Sequence, residues 1–161
     1  MNDKIITTQQ SISISENLRR KGKKIVVAGG CFDIIHIGHI AFLKKAKQQA
    51  DILFLLLEND KTVKQRKGPN RPFNTQKDRA EILAHLTLVD YVILLPVMTT
   101  NAMYDELVIH IKPAIIATTA GDANRSHKER QAHAIGAKVV DVMTQISNQS
   151  TTKIIHLLNE L

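Results

Sequence analysis

The sequence predicts an α/β fold: a single domain built on a five-stranded parallel sheet flanked by helices. From Lys24 onward, short apolar runs alternate with longer amphipathic ones. The short runs are rich in Ile, Val and Leu, as strands buried on both faces require. Such β-α-β-α alternation implies parallel pairing with right-handed crossovers. A chain of 161 residues suits one domain with its own core, spanning 1–161.

Taken in order, residues 1–22 read as an N-terminal extension or helix, with Ser13–Arg20 as the helical part. The strands are Lys24–Ala28, Ile52–Leu57, Tyr91–Leu95, Ala114–Thr118 and Lys138–Val142. Between them lie helices Gly38–Ala50, Thr75–Leu88, Asn101–Ile111 and Arg125–Ile135, and Thr151–Glu160 closes the chain. Asn74 or Thr75 caps the Thr75 helix, Ser150 caps the last, and Gly136 ends the Arg125 helix. The basic stretch Asp60–Phe73 contains Gly68, Pro69 and Pro72, lacks a clear period, and reads as a long functional loop. In such a fold ligands bind beyond the carboxyl ends of the strands, where strand order switches. The His36 region, the Asp60–Phe73 loop, Thr119–Arg125 and Gln145–Thr152 all follow strands, so they converge on that rim.

Composition narrows the function classes. No apolar run approaches the roughly 20 residues that cross a bilayer, and Met1–Ser15 lacks the layout of a signal peptide. One cysteine excludes an internal disulfide framework and fits a reducing cytoplasm. The formal charge of +7 points to anionic partners. With aromatics at only 4%, base-stacking platforms are scarce, so small phosphorylated ligands are favoured over nucleic acid. No membrane partner is expected.

The chemistry concentrates in Gly29-Gly30-Cys31-Phe32-Asp33-Ile34-Ile35-His36-Ile37-Gly38-His39, where a strand hands over to a helix start. Backbone N–H groups and the helix dipole collect there and favour anions. His36 and His39, at i and i+3, share one face of that helix. Zinc would need a further Cys/His cluster beyond Cys31 and Asp33, which is lacking, so no protein-bound metal is predicted. A Rossmann dinucleotide site is disfavoured because the turn lacks G-x-G-x-x-G, although Glu58 stands at a strand end where an acid could bind ribose. A helix cap plus packing is the plain alternative for the histidines. A solvated charge run is the plain alternative for the Lys61, Lys64, Arg66, Lys67 and Arg71 cluster, and an ion pair with Asp78 or Glu81 for Arg79. His85, His110, His133 and His156 read as surface or core residues, and His127 stays open.

These residues carry a family resemblance. G-C-F-D-x-x-H-x-G-H resembles the signature of the cytidylyltransferase-like nucleotidyltransferases. Lys67-Gly68-Pro69-Asn70-Arg71-Pro72, Asp78-Arg79-Ala80-Glu81, Val89-Asp90-Tyr91-Val92, Lys112-Pro113, Gly121-Asp122 and Ser150-Thr151-Thr152 extend the likeness to the adenylyltransferase domain that makes ADP-heptose. Glycerol-3-phosphate cytidylyltransferases and archaeal-type FAD synthetases share many of these marks. The resemblance implies a Rossmann-like, HUP-type fold and transfer of a nucleotidyl group from an NTP, ATP by preference, to a small phosphorylated acceptor such as a heptose phosphate. CTP with glycerol 3-phosphate, an FAD synthetase-like reaction, or a nucleotide-binding module without turnover are its alternatives. Mg²⁺ would travel with the NTP, and a homodimer is implied.

The same resemblance assigns roles. His36, His39 and Lys67 would be catalytic, the histidines neutralising α- and β-phosphate oxygens. Gly30, Cys31, Phe32, Gly38, Arg79, Gly121, Asp122, Ser150, Thr151 and Thr152 would bind the nucleotide. Asp33, Lys64 and Arg71 would bind the acceptor. Three departures stand out. Gln145–Gln149 holds no arginine before S-T-T, Thr119-Ala120-Gly121-Asp122-Ala123 replaces K-G-G-D-aromatic, and the turn before Cys31 has glycine at position 29. Either Arg125, Lys128 or Arg130 replaces the lost charge, or the acceptor differs, or activity has decayed.

Overall fold

A computed structural model describes residues 2–144 and 154–155. Six strands form one sheet: β1 (Ile5–Thr7), β2 (Ile25–Gly30), β3 (Ile52–Leu57), β4 (Tyr91–Leu94), β5 (Ile115–Ala120) and β6 (Lys138–Thr144). They lie in the order β1-β4-β3-β2-β5-β6, and every pairing is parallel. All carboxyl ends therefore open on one rim, and the order switches direction between β2 and β5. The expected sheet had five strands. The sixth, β1, pairs Ile5–Thr7 with Val92–Leu94 at one edge, so part of the 1–22 segment is built into the sheet.

Six helices complete the described residues: α1 (Thr8–Arg20), α2 (Ile37–Lys47), α3 (Asp60–Lys67), α4 (Gln76–Ala84), α5 (Asn101–Ile111) and α6 (Arg125–Ile135). α2 and α4 cover one sheet face, where Leu43, Ala46, Ala80 and Leu83 meet Val26, Ala28, Leu53 and Leu55. α1, α5 and α6 cover the other, against Ile25, Val27, Phe54 and Ile116. Each fully buried Leu or Ile contributes about 1.5–3 kcal/mol, so these two layers dominate the fold's stability. Asn101–Ile111 and Arg125–Ile135 match expectation, Thr75 caps α4, and Gly136 ends α6 at a left-handed φ of 70°. The last expected helix, Thr151–Glu160, with its cap Ser150, lies outside the described residues apart from two helical positions, 154 and 155.

The Asp60–Phe73 stretch is not one long loop: its first half is helix α3. The Asn59 side chain accepts from the Lys61 N–H at 2.9 Å. Asp60 sits in the first turn and Lys64, Arg66 and Lys67 in the last, matching the helix dipole at both ends. Gly68, at φ 106°, then stops the helix, and Pro69 follows. No helix among the described residues is long and apolar enough to cross a membrane.

Candidate nucleotide site at the sheet switch point

The turn after β2 is held by its own histidines. His36 is the N-cap of α2, where its Nδ1 accepts the Gly38 N–H at 3.1 Å. The His39 Nδ1 in turn accepts the His36 N–H at 3.4 Å, and the rings stack with centroids 3.8 Å apart. With Nδ1 an acceptor, a neutral imidazole carries its proton on Nε2. The cap reading and the ligand reading are thus compatible at His36: Nδ1 caps the helix while Nε2 stays a donor. The His39 ring also hydrogen-bonds the Ile34 backbone.

Both histidines are neutral at pH 7. Burial and the neighbouring His36 push His39 down to about 4, and burial lowers His36. This differs from the expectation that the pair brings positive charge to phosphate. What the site offers is a neutral N–H donor on His36 and backbone amides at a helix start. Phe32 lies beside them, its ring centroid 5.2 Å from that of His39. Its φ of 45° places it in the left-handed region, a costly conformation for a non-glycine residue. That backbone folds the Phe32 ring back over Gly30, where an added Cβ would meet it at 2.8 Å. A side chain at position 30 would therefore force the buried Phe32 ring to shift.

Three further expectations resolve differently. Arg79 is fully buried and meets neither Asp78 nor a solvent-facing site. Its Nε donates to the Asn74 carbonyl at 3.1 Å, its Nη2 to the Glu58 carbonyl at 2.9 Å and to Asp60 at 2.6 Å, and its Nη1 to the Cys31 carbonyl. It fastens the exits of β2 and β3 to the start of α4. Asp33 and Arg71, both expected at the acceptor, hold each other at 2.6 Å. The buried Asp33 carboxylate also accepts the N–H groups of Phe73 and Asn74, strapping that loop to the histidine turn. Lys64 and Lys67 are exposed on α3. Ser150, Thr151, Thr152 and the Gln145–Gln149 stretch lie outside the described residues.

A cleft of about 250 Å³ opens at the switch point between β2 and β5, with α5 and α6 as its walls. Gly30 and Cys31 join it to the histidine turn. Gly121, at φ 79°, makes the left-handed turn that places Asp122 in the cleft. Burial alone would push the Asp122 carboxyl up, but hydrogen bonds from Lys128, Thr118 and the Asn124 N–H hold it down to about 2. Of the three candidate replacement cations, only Lys128 lines the cleft. Arg125 is engaged with Glu129 and Asp141, and Arg130 with Asp105. Burial, then the Glu58 charge, raises the Cys31 thiol, in keeping with a packing role.

The sequence reading missed one group altogether. Arg66 Nη1 reaches Glu58 Oε1 at 2.9 Å, and the Tyr104 hydroxyl donates to both Glu58 oxygens, at 3.1 and 2.9 Å. All three residues line the cleft. Glu58 had been weighed only as a dinucleotide acid, and nothing local marks Tyr104. His127 lines the same wall, 3.5 Å from Asn101 Nδ2.

A parallel sheet wound on both faces, with stacked histidines at a strand-to-helix turn beside its switch point, has the form of a nucleotidyltransferase. Residues 27–157 match the family described as cytidylyltransferase-like, and the chain belongs to it. It is 41% identical over 142 residues to the bifunctional protein HldE of Nitratiruptor sp., covering 88% of this chain and 29% of that one. It is 38% identical to the HldE protein of Aliarcobacter butzleri over 99% of this chain and 32% of that one. The chain thus spans about a third of the length of these relatives. Among solved structures, a lipopolysaccharide core biosynthesis protein from Thermoplasma volcanium superimposes with a TM-score of 0.62 at 28% identity. That match covers 80% of this chain and all of that one.

Proposed function

We propose that the protein moves an adenylyl group from ATP to a heptose phosphate and releases pyrophosphate. The observation that carries this reading is the His36–His39 stack at the start of α2, in the turn that follows β2, whose last residues Gly29 and Gly30 line the cleft at the sheet switch point. The resemblance to the ADP-heptose-forming domain and the similarity to the HldE proteins favour this acceptor.

An oxygen of the acceptor phosphate attacks the α-phosphorus in line. A new P–O bond forms, the bond to the bridging oxygen of the β-phosphate breaks, and its electron pair leaves on pyrophosphate. The nucleophile is already an anion, so positioning and charge stabilisation supply the catalysis. The Nε2–H of His36, the first amides of α2 and, once it exchanges the Ile34 backbone for phosphate, the His39 ring donate to the α- and β-phosphate oxygens. Gly38 lets the helix start approach closely. Lys64 and Lys67 on α3 draw the triphosphate or acceptor phosphate to the rim. Ser150, Thr151 and Thr152 add hydroxyl and amide donors. Arg79, Asp33 and Arg71 shape the site by holding its loops.

Asp33 and Asp122 are committed to hydrogen bonds, and no group of three or more potential metal ligands occurs among the described residues. That donor set suits a Mg²⁺ that arrives on the nucleotide, keeps most of its waters and offsets phosphate charge. The single cysteine supports a cytoplasmic setting, and the resemblance supports a homodimer, which light scattering of the purified protein tests. The central experiment measures pyrophosphate release with Mg²⁺, ATP or CTP, and heptose 1-phosphate or glycerol 3-phosphate. Release above background with ATP and the heptose phosphate is expected. No release from either nucleotide with any phosphorylated acceptor refutes the enzymatic reading.

A further inference from the structure

The charges in the α5–α6 cleft are already paired. Arg66 and Tyr104 hold Glu58 on one side, and Lys128 and Thr118 hold Asp122 on the other. Such a cleft has little use for a phosphate. An incoming phosphate would have to displace a carboxylate from its cation and would face the other carboxylate at short range. A neutral group with several hydroxyls meets no such penalty.

Glu58 is the feature that can read such hydroxyls. Its carboxylate is buried, with 7% of the residue exposed, yet it lines the cleft. A carboxylate has about four lone-pair positions, and among the described residues Glu58 uses them for one arginine N–H and one shared tyrosine O–H. Burial and the Glu58 charge push the Tyr104 hydroxyl up to about 12, so it keeps its proton and stays a donor to Glu58. Arg66 donates to the Tyr104 oxygen at 3.1 Å, which closes the triangle and fixes the carboxylate's orientation. The remaining acceptor capacity faces the cleft beside the glycine floor, Gly29 and Gly30.

We infer that Glu58, oriented by Tyr104 and Arg66, is a specificity residue that accepts hydrogen bonds from the hydroxyls of a substrate sugar ring in this cleft. The inference deepens the nucleotidyltransferase reading and rests on it. Two sources present this chemistry, the ribose of the nucleotide and the sugar of the phosphorylated acceptor.

The experiment compares wild-type protein with Glu58→Gln and Tyr104→Phe. The first arm measures ATP, 2′-deoxy-ATP and 3′-deoxy-ATP affinity by ligand-induced melting shifts. The second measures KM for heptose 1-phosphate against a deoxy-heptose 1-phosphate. A hydrogen bond to a charged group predicts that wild type favours the fully hydroxylated ligand by roughly tenfold to a hundredfold in one arm. Glu58→Gln erases that preference, and Tyr104→Phe, which keeps the carboxylate but frees its orientation, reduces it several-fold. A change confined to the first arm assigns the ribose, and one confined to the second assigns the acceptor sugar. Variants that melt like wild type and keep both preferences overturn the inference and leave the nucleotidyltransferase reading intact. A wild-type protein that binds no nucleotide overturns both.

Discussion

Replacing Arg79 with alanine separates a structural tie from a phosphate ligand. The side chain is completely buried and holds three backbone carbonyls, from Cys31, Glu58 and Asn74, together with the Asp60 carboxylate. Removing it orphans those carbonyls, at about 1–3 kcal/mol for each one that stays dry. Asp60 is 44% exposed and can turn to water, so its charge adds little to the loss. Water entering the vacated space satisfies part of the remainder. A total of about 3–5 kcal/mol follows, the range found when one partner of a buried ion pair is removed. With a urea slope of about 2 kcal/mol per molar, the unfolding midpoint should fall by about 1.5–2.5 M. Lysine keeps the charge but not the planar fork, so Arg79→Lys should recover less than half of the loss. A midpoint within about 0.5 M of wild type, coupled with lost nucleotide stabilisation, would refute the tie and restore the ligand reading.

Two further outcomes are expected. His39 is pushed down to about 4, below its ordinary value, so between about pH 6.5 and 4 the unfolded chain binds a proton that the folded chain refuses. Stability is then complete above pH 6.5 and drains away as pH falls toward 4, by on the order of 3 kcal/mol for a fully retained shift. Melting curves at pH 7.5 and 5 should show His39→Asn losing much of that acid sensitivity, and an unchanged acid slope would count against the buried neutral histidine. Lys128→Met, which leaves the Asp122 carboxylate without its ammonium partner, should cost about 1–2 kcal/mol of stability and lower the melting temperature at pH 7, while ATP affinity stays within about twofold. A variant that melts like wild type but loses ATP stabilisation would make Lys128 a phosphate ligand.

What could be read from the sequence depended on whether the signal was local. β2, β3, β5 and the Asn101 and Arg125 helices announce themselves through apolar runs and caps within a dozen residues. β1 does not, because three residues with only Ile6 buried make no pattern, and its identity comes from pairing with β4. The start of α1 was hidden by Ser11-Ile12-Ser13-Ile14-Ser15, which alternates like a strand. Its buried Ser11 and Ser15 hydroxyls are satisfied by the carbonyls of Thr8 and Ile12, so those polar residues fit inside a helix. α3 carries little apolar surface, and its evidence was the Asn59 cap and the charge order, easily taken for a solvated loop. The histidine turn was legible as a motif, but its charge state was not, since burial sets it. Arg79 and Arg71 fit a phosphate-binding pattern by residue type, and Asp33 an acceptor contact. Only the fold shows Asp33 and Arg71 spent on each other and Arg79 on Asp60 and backbone carbonyls. The Glu58–Arg66–Tyr104 group joins residues up to 46 positions apart and has no local signature.

The site thus divides its work between charge that is free and charge that is locked. Among the cations near the rim, Arg66, Arg71, Arg79 and Lys128 each face a carboxylate. Lys64 and Lys67 are exposed on α3 and form no ion pair among the described residues. Exposed ammoniums attract an NTP across roughly a Debye length, about 8–10 Å in physiological salt, but position it poorly. The histidine turn does the reverse. Its rings are fixed by mutual stacking and by backbone N–H groups, and they are neutral at pH 7. A neutral, rigid donor pair costs the folded protein no mutual repulsion, whereas two imidazoliums 3.8 Å apart would repel. The phosphates then meet donors already oriented, which need no rearrangement as pyrophosphate charge builds. That preorganisation depends on burial holding His39 well below its usual range, beside the Phe32 ring.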